Sequence, residues 1–314
     1  MAQPVNSVSS NKIKGVREDL ENFIYDITPE DTPVFSMMAR TTAAQYLHEW
    51  QTDALRTSAV NAHIEGDDTV SEARLATVRL GNYVQLFKNA VTVPDGDKNL
   101  DKAGRETEMA YQSIKIGKEQ LLDIEKALMA NQARVQGSDV APRFLAGIPS
   151  WLVSNVTGIG AGGSNPTGDG TNARTDGTQG AFTQANFDLA MQQAWQRGGK
   201  PSKVILGPSQ MTTAQGFVGN NNQNSIIEAD QTKVIKFMSV YVTPWGKVEF
   251  IPARENRTRD VFIMQPNMWK IAMYRGTRTK ELASLGDNSR RQVLTELTLV
   301  SCNEKASAAV VDVT

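Results

Sequence analysis

Residues Gly158 to Gly180 read GIGAGGSNPTGDGTNARTDGTQG, and the first six spell G-x-G-x-x-G through Gly158, Gly160 and Gly163. A dinucleotide-binding loop of this pattern lies between a strand and a helix, because the helix N-terminus holds the pyrophosphate. It would place the chain among the doubly wound α/β folds. WLVSNVT, residues 151–157, can serve as the strand. The residues after Gly163 cannot serve as the helix: the stretch holds eight glycines in 23 residues and one large aliphatic, Ile159. The motif therefore reads as a solvated surface insertion, and the fold must be sought on either side of it.

Downstream, residues 183–198 form a clear helical pattern. Thr183 is a good N-cap, Phe187, Ala190, Met191, Ala194 and Trp195 share a face, and Gly198-Gly199 ends it. KVILGP reads as a short buried strand, SQMTTAQGFVG as a short helix and NNNQN as loop. VIKFMSVYVTPWGKVEFIPAR reads as a hairpin turning at Pro244–Lys247, and DVFIMQP, WKIAMYRG, RRQVLTELTLVSC and KASAAVVDV as further strands. Upstream, residues 101–136 read as one long helix with an apolar stripe through Ala110, Ile114, Gly117, Leu121, Ile124 and Leu128. Residues 42–94 read as a long antiparallel hairpin. QYLHEWQTD is one strand, ARLATVRLGNYVQLFKNAVTVP (Ala73–Pro94) the other, and polar SAVNAHIEGDDTVSE the tip. Neither strand has a consistently apolar face, so the hairpin projects into solvent or lies on another subunit. Residues 1–40 read as an irregular arm, broken by Pro29 and Pro33, whose Phe23, Ile24, Tyr25, Ile27, Val34 and Phe35 need burial on their own domain or on a neighbour. The fold class is α+β, without the regular alternation of a doubly wound sheet.

The 314 residues carry 33 basic and 34 acidic side chains, a net charge of −1, without the basic surplus of a nucleic-acid-gripping protein. A single cysteine, Cys302, rules out an intrachain disulfide framework and reads as a small apolar residue buried in a strand. The polar N-terminus lacks a signal core, no run approaches the roughly 18 apolar residues of a membrane span, and the sequons at Asn155 and Asn256 read as chance. Asp95, Asp97, Asn99, Asp101 and Glu106 fit an EF-hand frame, but Leu100 stands where the sharp turn wants glycine. A turn and an N-cap opening the long helix is the better reading. His48 and His63 have no metal-binding spacing. There is no G-x-S-x-G elbow and no phosphate loop, since the Gly-Lys pairs at 117, 199 and 246 lack the partner glycine or hydroxyl. No catalytic residue, cofactor or metal is assigned.

The order of parts, arm, projecting hairpin, long helix, insert-bearing middle and returning strands, resembles the major capsid protein of tailed bacteriophages, the HK-97-type fold. DITPEDTPVFSMMART, QYLHEWQTDALR and GDNSRRQVLTELTLVSCNEKASAAVV are similar to segments of a capsid-protein group long filed as a domain of unknown function. The resemblance implies an N-terminal arm at 1–40, an extended loop at 41–95 and a spine helix with part of the peripheral domain at 96–144. An axial domain at 145–259 would bear the glycine-rich insertion, and 260–314 would complete the peripheral domain. It further implies self-assembly into pentamers and hexamers of an icosahedral head enclosing double-stranded DNA without sequence-specific binding, assembled in the bacterial host cytoplasm and ending in the virion. Its partners would be a portal, a decoration protein and, because the arm begins almost at Met1, either a separate scaffolding protein or none. No membrane is involved. Phe23, Tyr25, Phe35, Tyr46, Trp50, Arg74 and Arg79 are the candidate inter-subunit contacts, the aromatics as anchors and the arginines as partners for acids. Trp50→Ala is expected to weaken shell formation and leave a folded subunit. The alternatives are a nanocompartment shell of the same fold and a nucleotide-binding enzyme using Gly158–Gly163.

Overall fold

The computed structural model describes residues 31–66, 68, 71, 74–99, 107–217, 225–226, 235–236 and 240–314. The first element among the described residues is a one-turn helix, α1 (Pro33–Met37), within the stretch that the sequence suggests is an irregular arm. Pro33 fits its first turn because the missing N–H falls among donors that have no intrahelical partner. The next two donors, the N–H groups of Val34 and Phe35, are received by the two carboxylate oxygens of Glu125 at 2.8 Å each.

Four strands come next: β1 (Ala39–Thr42), β2 (Leu47–Thr52), β3 (Val78–Tyr83) and β4 (Gln85–Pro94). β2 and β3 pair antiparallel from Leu47↔Tyr83 to Thr52↔Val78, which is the expected hairpin. The run from Ala73 to Pro94 is not one strand: buried Val84 divides it, and β4 joins a different sheet.

The long helix, α2 (Glu108–Met129), has 22 residues and a length of about 33 Å. It stops seven residues short of the expected end because tertiary bonds capture the chain beyond Met129. The Gln132 side chain donates to the Leu145 carbonyl at 2.8 Å, and Val135 bridges Phe144. Residues 100–106 lie outside the described part. The apolar stripe also divides. Ile124 and Leu128 are buried with Phe87 and Leu297, whereas Ile114 and Leu121 remain exposed.

The rest comprises β5 (Val156–Thr157), α3 (Gln184–Gln196), β6 (Lys203–Leu206), α4 (Pro208–Ala214), β7 (Ser225–Ile226), β8 (Ile235–Lys236), β9 (Val240–Thr243), β10 (Gly246–Pro252), β11 (Asp260–Met264), β12 (Trp269–Leu282), β13 (Asn288–Ser301) and β14 (Ala308–Val311). Thr183 caps α3 as expected, its hydroxyl accepting from the Asn186 N–H. Trp195, expected on the buried face of α3, is instead more than half exposed. Cys302 lies just past β13, half-buried, rather than inside a strand.

Two sheets organise the molecule. One has the order β1-β12-β13-β4, with α2 packed on one face. The other has the order β5-β14-β11-β6-β10-β9 and is buried on both faces. Val204 and Leu206 of β6 enter a core with Phe187 and Met191 of α3, while Ile205 between them enters the core around Trp151 and Trp269. Burial on both sides explains why β11 and β14 read as continuous apolar runs. Parallel pairs (β1 with β12, β10 with β6, β14 with β5) mix with antiparallel ones, and among the described residues strand–helix alternation is confined to the stretch from β5 to β7. The α+β expectation holds.

Candidate assembly surfaces

The projecting element is anchored before it projects. The indole N–H of Trp50 on β2 donates to the Ser301 carbonyl at 2.7 Å, and its ring packs on Trp151 at 5.4 Å between centroids. Asn82 on β3 is wholly buried; its side chain donates to the Leu299 carbonyl at 2.8 Å and accepts from the Ala146 N–H at 2.9 Å. Arg79 pairs with Glu49 across the hairpin at 3.0 Å. Beyond Thr52 this support ends. Between 53 and 77 no described residue lies in helix or strand, and all are exposed. Leu55, Val60, Ile64 and Leu75 keep 97, 95, 83 and 80% of their surface open to solvent. At roughly 25 cal/mol per Å² of apolar surface, four such side chains are a standing drive toward a partner surface.

Of the candidate contacts read from sequence, Phe23 and Tyr25 lie outside the described residues. Phe35 is buried in its own subunit, under the Arg40 guanidinium at 5.0 Å from the ring centroid. Trp50 is half-buried. Tyr46 is about half exposed. Its ring stacks under Arg143 at 3.9 Å and against Tyr274 at 5.1 Å. Arg74 is exposed. Only Tyr46, Arg74 and Arg79 of the described set keep substantial free surface. The sequence reading missed the cluster beside Tyr46. Arg143 approaches Glu296 at 3.6 Å, and Arg275 holds the same carboxylate through two bonds of 2.6 and 2.7 Å. Nothing in the spacing of residues 46, 143, 275 and 296 signals that they meet.

The glycine-rich stretch is not a loosely solvated insertion. Arg174 in its middle is buried and forms a two-pronged ion pair with buried Asp312. Asp312 also accepts from Arg259 at 2.8 Å, from the Gly177 N–H at 3.0 Å and from the Gly160 N–H at 3.2 Å. Burial alone would raise the pKa of Asp312, but the Arg174 guanidinium and the two amides hold it at about 2. Asp176 extends the set to Arg257, which reaches Asp260 at 2.5 Å. Deep burial raises the pKa of Asp260 despite the nearby Arg257. The glycines serve close packing: a Cβ on Gly160 would lie 1.9 Å from the Thr178 carbonyl oxygen. No helix comes directly after Gly163, and the next one begins at Gln184. The pyrophosphate-holding geometry is therefore missing from this loop.

The acidic stretch proposed as an EF-hand frame is only partly described. Asp95 and Asp97 lie in a short 3-10 turn, and Asp95 accepts from the Ser289 hydroxyl at 2.8 Å, while Asp101 and Glu106 lie outside the described residues. Among the described residues no group of His, Cys, Asp and Glu could hold a metal ion, and no helix is long and apolar enough to cross a membrane. Burial lowers the pKa of His48.

Among the described residues nothing covers the apolar side chains of the 53–77 loop, and the fold is similar to that of solved phage capsid proteins. The chain superimposes on a protein of the Cyanophage A-1(L) capsid with a TM-score of 0.67 at 11% identity, covering 98% of each chain. On a chain from the structure of Phage G major capsid and decoration proteins it does so at 0.56 and 12%, covering 99% of each. The fold is the HK-97-type capsid fold. Residues 4–314 match the SU10 major capsid protein family model, and the chain belongs to that family. It is 27% identical to the major capsid protein of Escherichia phage Phieco32, covering 98% of this chain and 97% of that protein. The chain is thus a phage major capsid protein, a structural component of the virion; neither the nanocompartment nor the nucleotide-enzyme reading gains support.

Proposed function

We propose that copies of this chain join as pentamers and hexamers, which close into an icosahedral head around double-stranded DNA. Residues 1–40 act as the N-terminal arm, 41–95 as the extended loop, 96–144 as the spine helix with part of the peripheral domain, 145–259 as the axial domain and 260–314 as the returning strands of the peripheral domain. The role is structural, without a catalytic step. Assembly takes place in the host cytoplasm with a separate scaffolding protein, a portal and a decoration protein as partners; the decoration protein in the Phage G structure supports the last of these. Packaged DNA is held without sequence-specific contacts, in keeping with a net charge of −1. Tyr46, Arg74 and Arg79 contribute inter-subunit contacts.

The observation that carries this reading is the unsupported apolar loop at 53–77. A monomer gains nothing from four exposed aliphatics there, whereas a shell covers them once per subunit. Negative-stain electron microscopy and size-exclusion chromatography of the chain expressed alone test it. Closed shells, tubes or rings are expected. A monomer or dimer that never assembles, even with candidate scaffolding proteins added, would overturn it.

A further inference from the structure

One edge of the four-stranded sheet is β4, and that edge is open. The strand pairs with β13 over ten residues, from Gln85↔Leu297 to Pro94↔Asn288, without a register shift. On its other side it meets no strand among the described residues. In an antiparallel ladder every second residue turns its N–H and C=O away from the partner strand, so a run of about 33 Å offers unpaired main-chain groups. Edges of this length are usually blunted by a bulge, an internal proline or a covering segment. β4 has no bulge, its one proline stands at the very end, and Leu86, Lys88, Ala90 and Thr92 are exposed. The opposite edge of the sheet, β1, spans only four residues.

A charged stripe of α2 runs beside this edge. Ile116, Gln120 and Ile124 are buried toward the sheet, and the Gln120 side chain donates to the Val293 carbonyl at 3.2 Å. Val293 is paired with Asn89, so the middle of α2 stands level with the middle of β4. Asn89 donates to the Asp123 carboxylate at 3.3 Å. That bond turns toward β4 the stripe formed by Lys115, Glu119, Asp123 and Lys126, whose spacings of four, four and three place them along one side of the helix. Lys115, Glu119 and Lys126 are exposed and make no ion pair among the described residues. The stripe carries both signs, so the same stripe reversed is its complement. Lys115 of each copy then falls beside Asp123 of the other, and each Glu119, near the axis, lies one helical turn from the opposite Lys115.

We propose that β4 pairs antiparallel with β4 of a second copy of this chain across a two-fold axis, joining two four-stranded sheets into one continuous sheet. Main-chain bonds give the strength of such a strand addition, and the charged flank of α2 sets the partner. The layer spacings agree. Strands lie about 4.8 Å apart and α2 lies over β4 and β13, so the pairing brings the two α2 helices to about 10 Å, the ordinary spacing of packed helices. Centred on Ala90, it sets Lys88 opposite Thr92 and Asn89 opposite Val91 of the second copy, and no like charges meet across the strands. The contact is isologous and links copies in pairs, whereas a ring of five or six is built from head-to-tail contacts. Its place in a head rests on the reading of the chain as a shell subunit: it ties one ring to the next.

Four variants of the full chain test the pairing: Ala90→Cys; Ala90→Lys with Thr92→Lys; Lys115→Glu; and Lys115→Glu with Asp123→Lys. Circular dichroism and thermal melting establish that each folds. A cysteine at the axis meets its own copy, so mild oxidation of the assembled Ala90→Cys chain should give a disulfide-linked dimer on a non-reducing gel. The parent, which has Cys302 alone, should give at least tenfold less. The two added lysines bring like charges together across the axis. They should lower the fraction of closed shells at least tenfold in electron micrographs, while rings of five or six persist. Lys115→Glu should lower that fraction at about 0.1 M salt, where exposed charges still act over roughly 10 Å, and the added Asp123→Lys should restore most of it. Normal shells from the two-lysine variant, or no dimer from assembled Ala90→Cys, would overturn the pairing and leave the shell reading standing. A failed rescue by Asp123→Lys would overturn the contribution of α2. Dimers through Ala90→Cys from a chain that forms neither rings nor shells would uphold the pairing and remove the shell reading. A chain that neither assembles nor forms the dimer would overturn both.

Discussion

Arg174 and Asp312 are 138 residues apart in sequence and meet as a buried, two-pronged ion pair. Arg174 sits in a stretch without helix or strand and Asp312 in the last turn of the chain, at a φ of 54° that an aspartate tolerates better than most residues. The pair is what turns the glycine-rich segment into part of the fold. Removing one member leaves an uncompensated charge in the interior, so Arg174→Ala should cost about 3 kcal/mol. Denaturant unfolding measures that loss, and limited proteolysis should show new cuts between 158 and 180. Unchanged resistance to protease there would remove the pair from its anchoring role.

Asp312 also predicts an acid limit. Its folded pKa of about 2 lies below the ordinary value of 3.8, so its contribution is fully present above about pH 4 and is lost as the pH falls toward 2. A shift of that size corresponds to about 2 kcal/mol. Glu125 and Asp260 work in the other direction, since burial raises their pKa values and protonation favours the folded state. Denaturation midpoints between pH 6 and pH 2 should fall over the lower part of this range, and Asp312→Asn should flatten that part. An identical slope in the variant would contradict the assignment.

Trp50 behaves differently from its sequence-based expectation. Its indole is bonded to Ser301 and packed on Trp151, so Trp50→Ala should destabilise the subunit itself by about 2–4 kcal/mol. A thermal melt of the unassembled variant tests this; an unchanged melting temperature would return Trp50 to the role of an interface anchor. Leu55→Ser with Val60→Ser should show the reverse pattern, an unchanged melt with impaired assembly, because both side chains stand almost wholly in solvent.

Glu125 receives two N–H groups that have no other partner at the start of α1. Glu125→Ala should leave both unsatisfied and cost about 1–3 kcal/mol. Amide hydrogen exchange at Val34 and Phe35 should accelerate well beyond that in α3. Equal protection in variant and parent would show that another group holds the turn.

Gly160 and Gly162 allow a paired test within one loop. Alanine at Gly160 would drive its Cβ into the backbone of Thr178, at a cost of about 2 kcal/mol or more. Alanine at Gly162 meets open space and costs only the strain of a φ of 79°, about 1 kcal/mol. Similar unfolding midpoints for both would show that the loop relaxes around Gly160.

Periodicity made much of the fold readable. The α3 stripe at Phe187, Ala190, Met191 and Ala194, the hairpin turn at Pro244–Lys247 and the apolar runs of β11 and β14 record local burial, and burial writes a period into sequence. Where a boundary depended on distant chain, the reading failed. Nothing near Met129 announces that residues 144–147 will end α2, and nothing near Val84 announces a change of sheet. Charges were the least legible. Arg174 among glycines looks solvated until Asp312 is placed beside it, and the stripe from Lys115 to Lys126 looks like an ordinary solvated helix face until β4 is placed beside it.

The parallel pairing of β1 with β12 has a consequence for how the protein is made. Ala39–Thr42 must wait for Lys270–Met273, and Trp50 for Ser301, before either finds its native partner. A ribosome adding roughly 5–20 residues per second therefore exposes the first strands, and the greasy loop between them, for on the order of ten seconds or more before they can close. Contacts of such long sequence separation also form slowly once available. The nascent chain should depend on a chaperone in that interval, and a synthesis stalled before residue 270 should yield an aggregate rather than a partly folded domain.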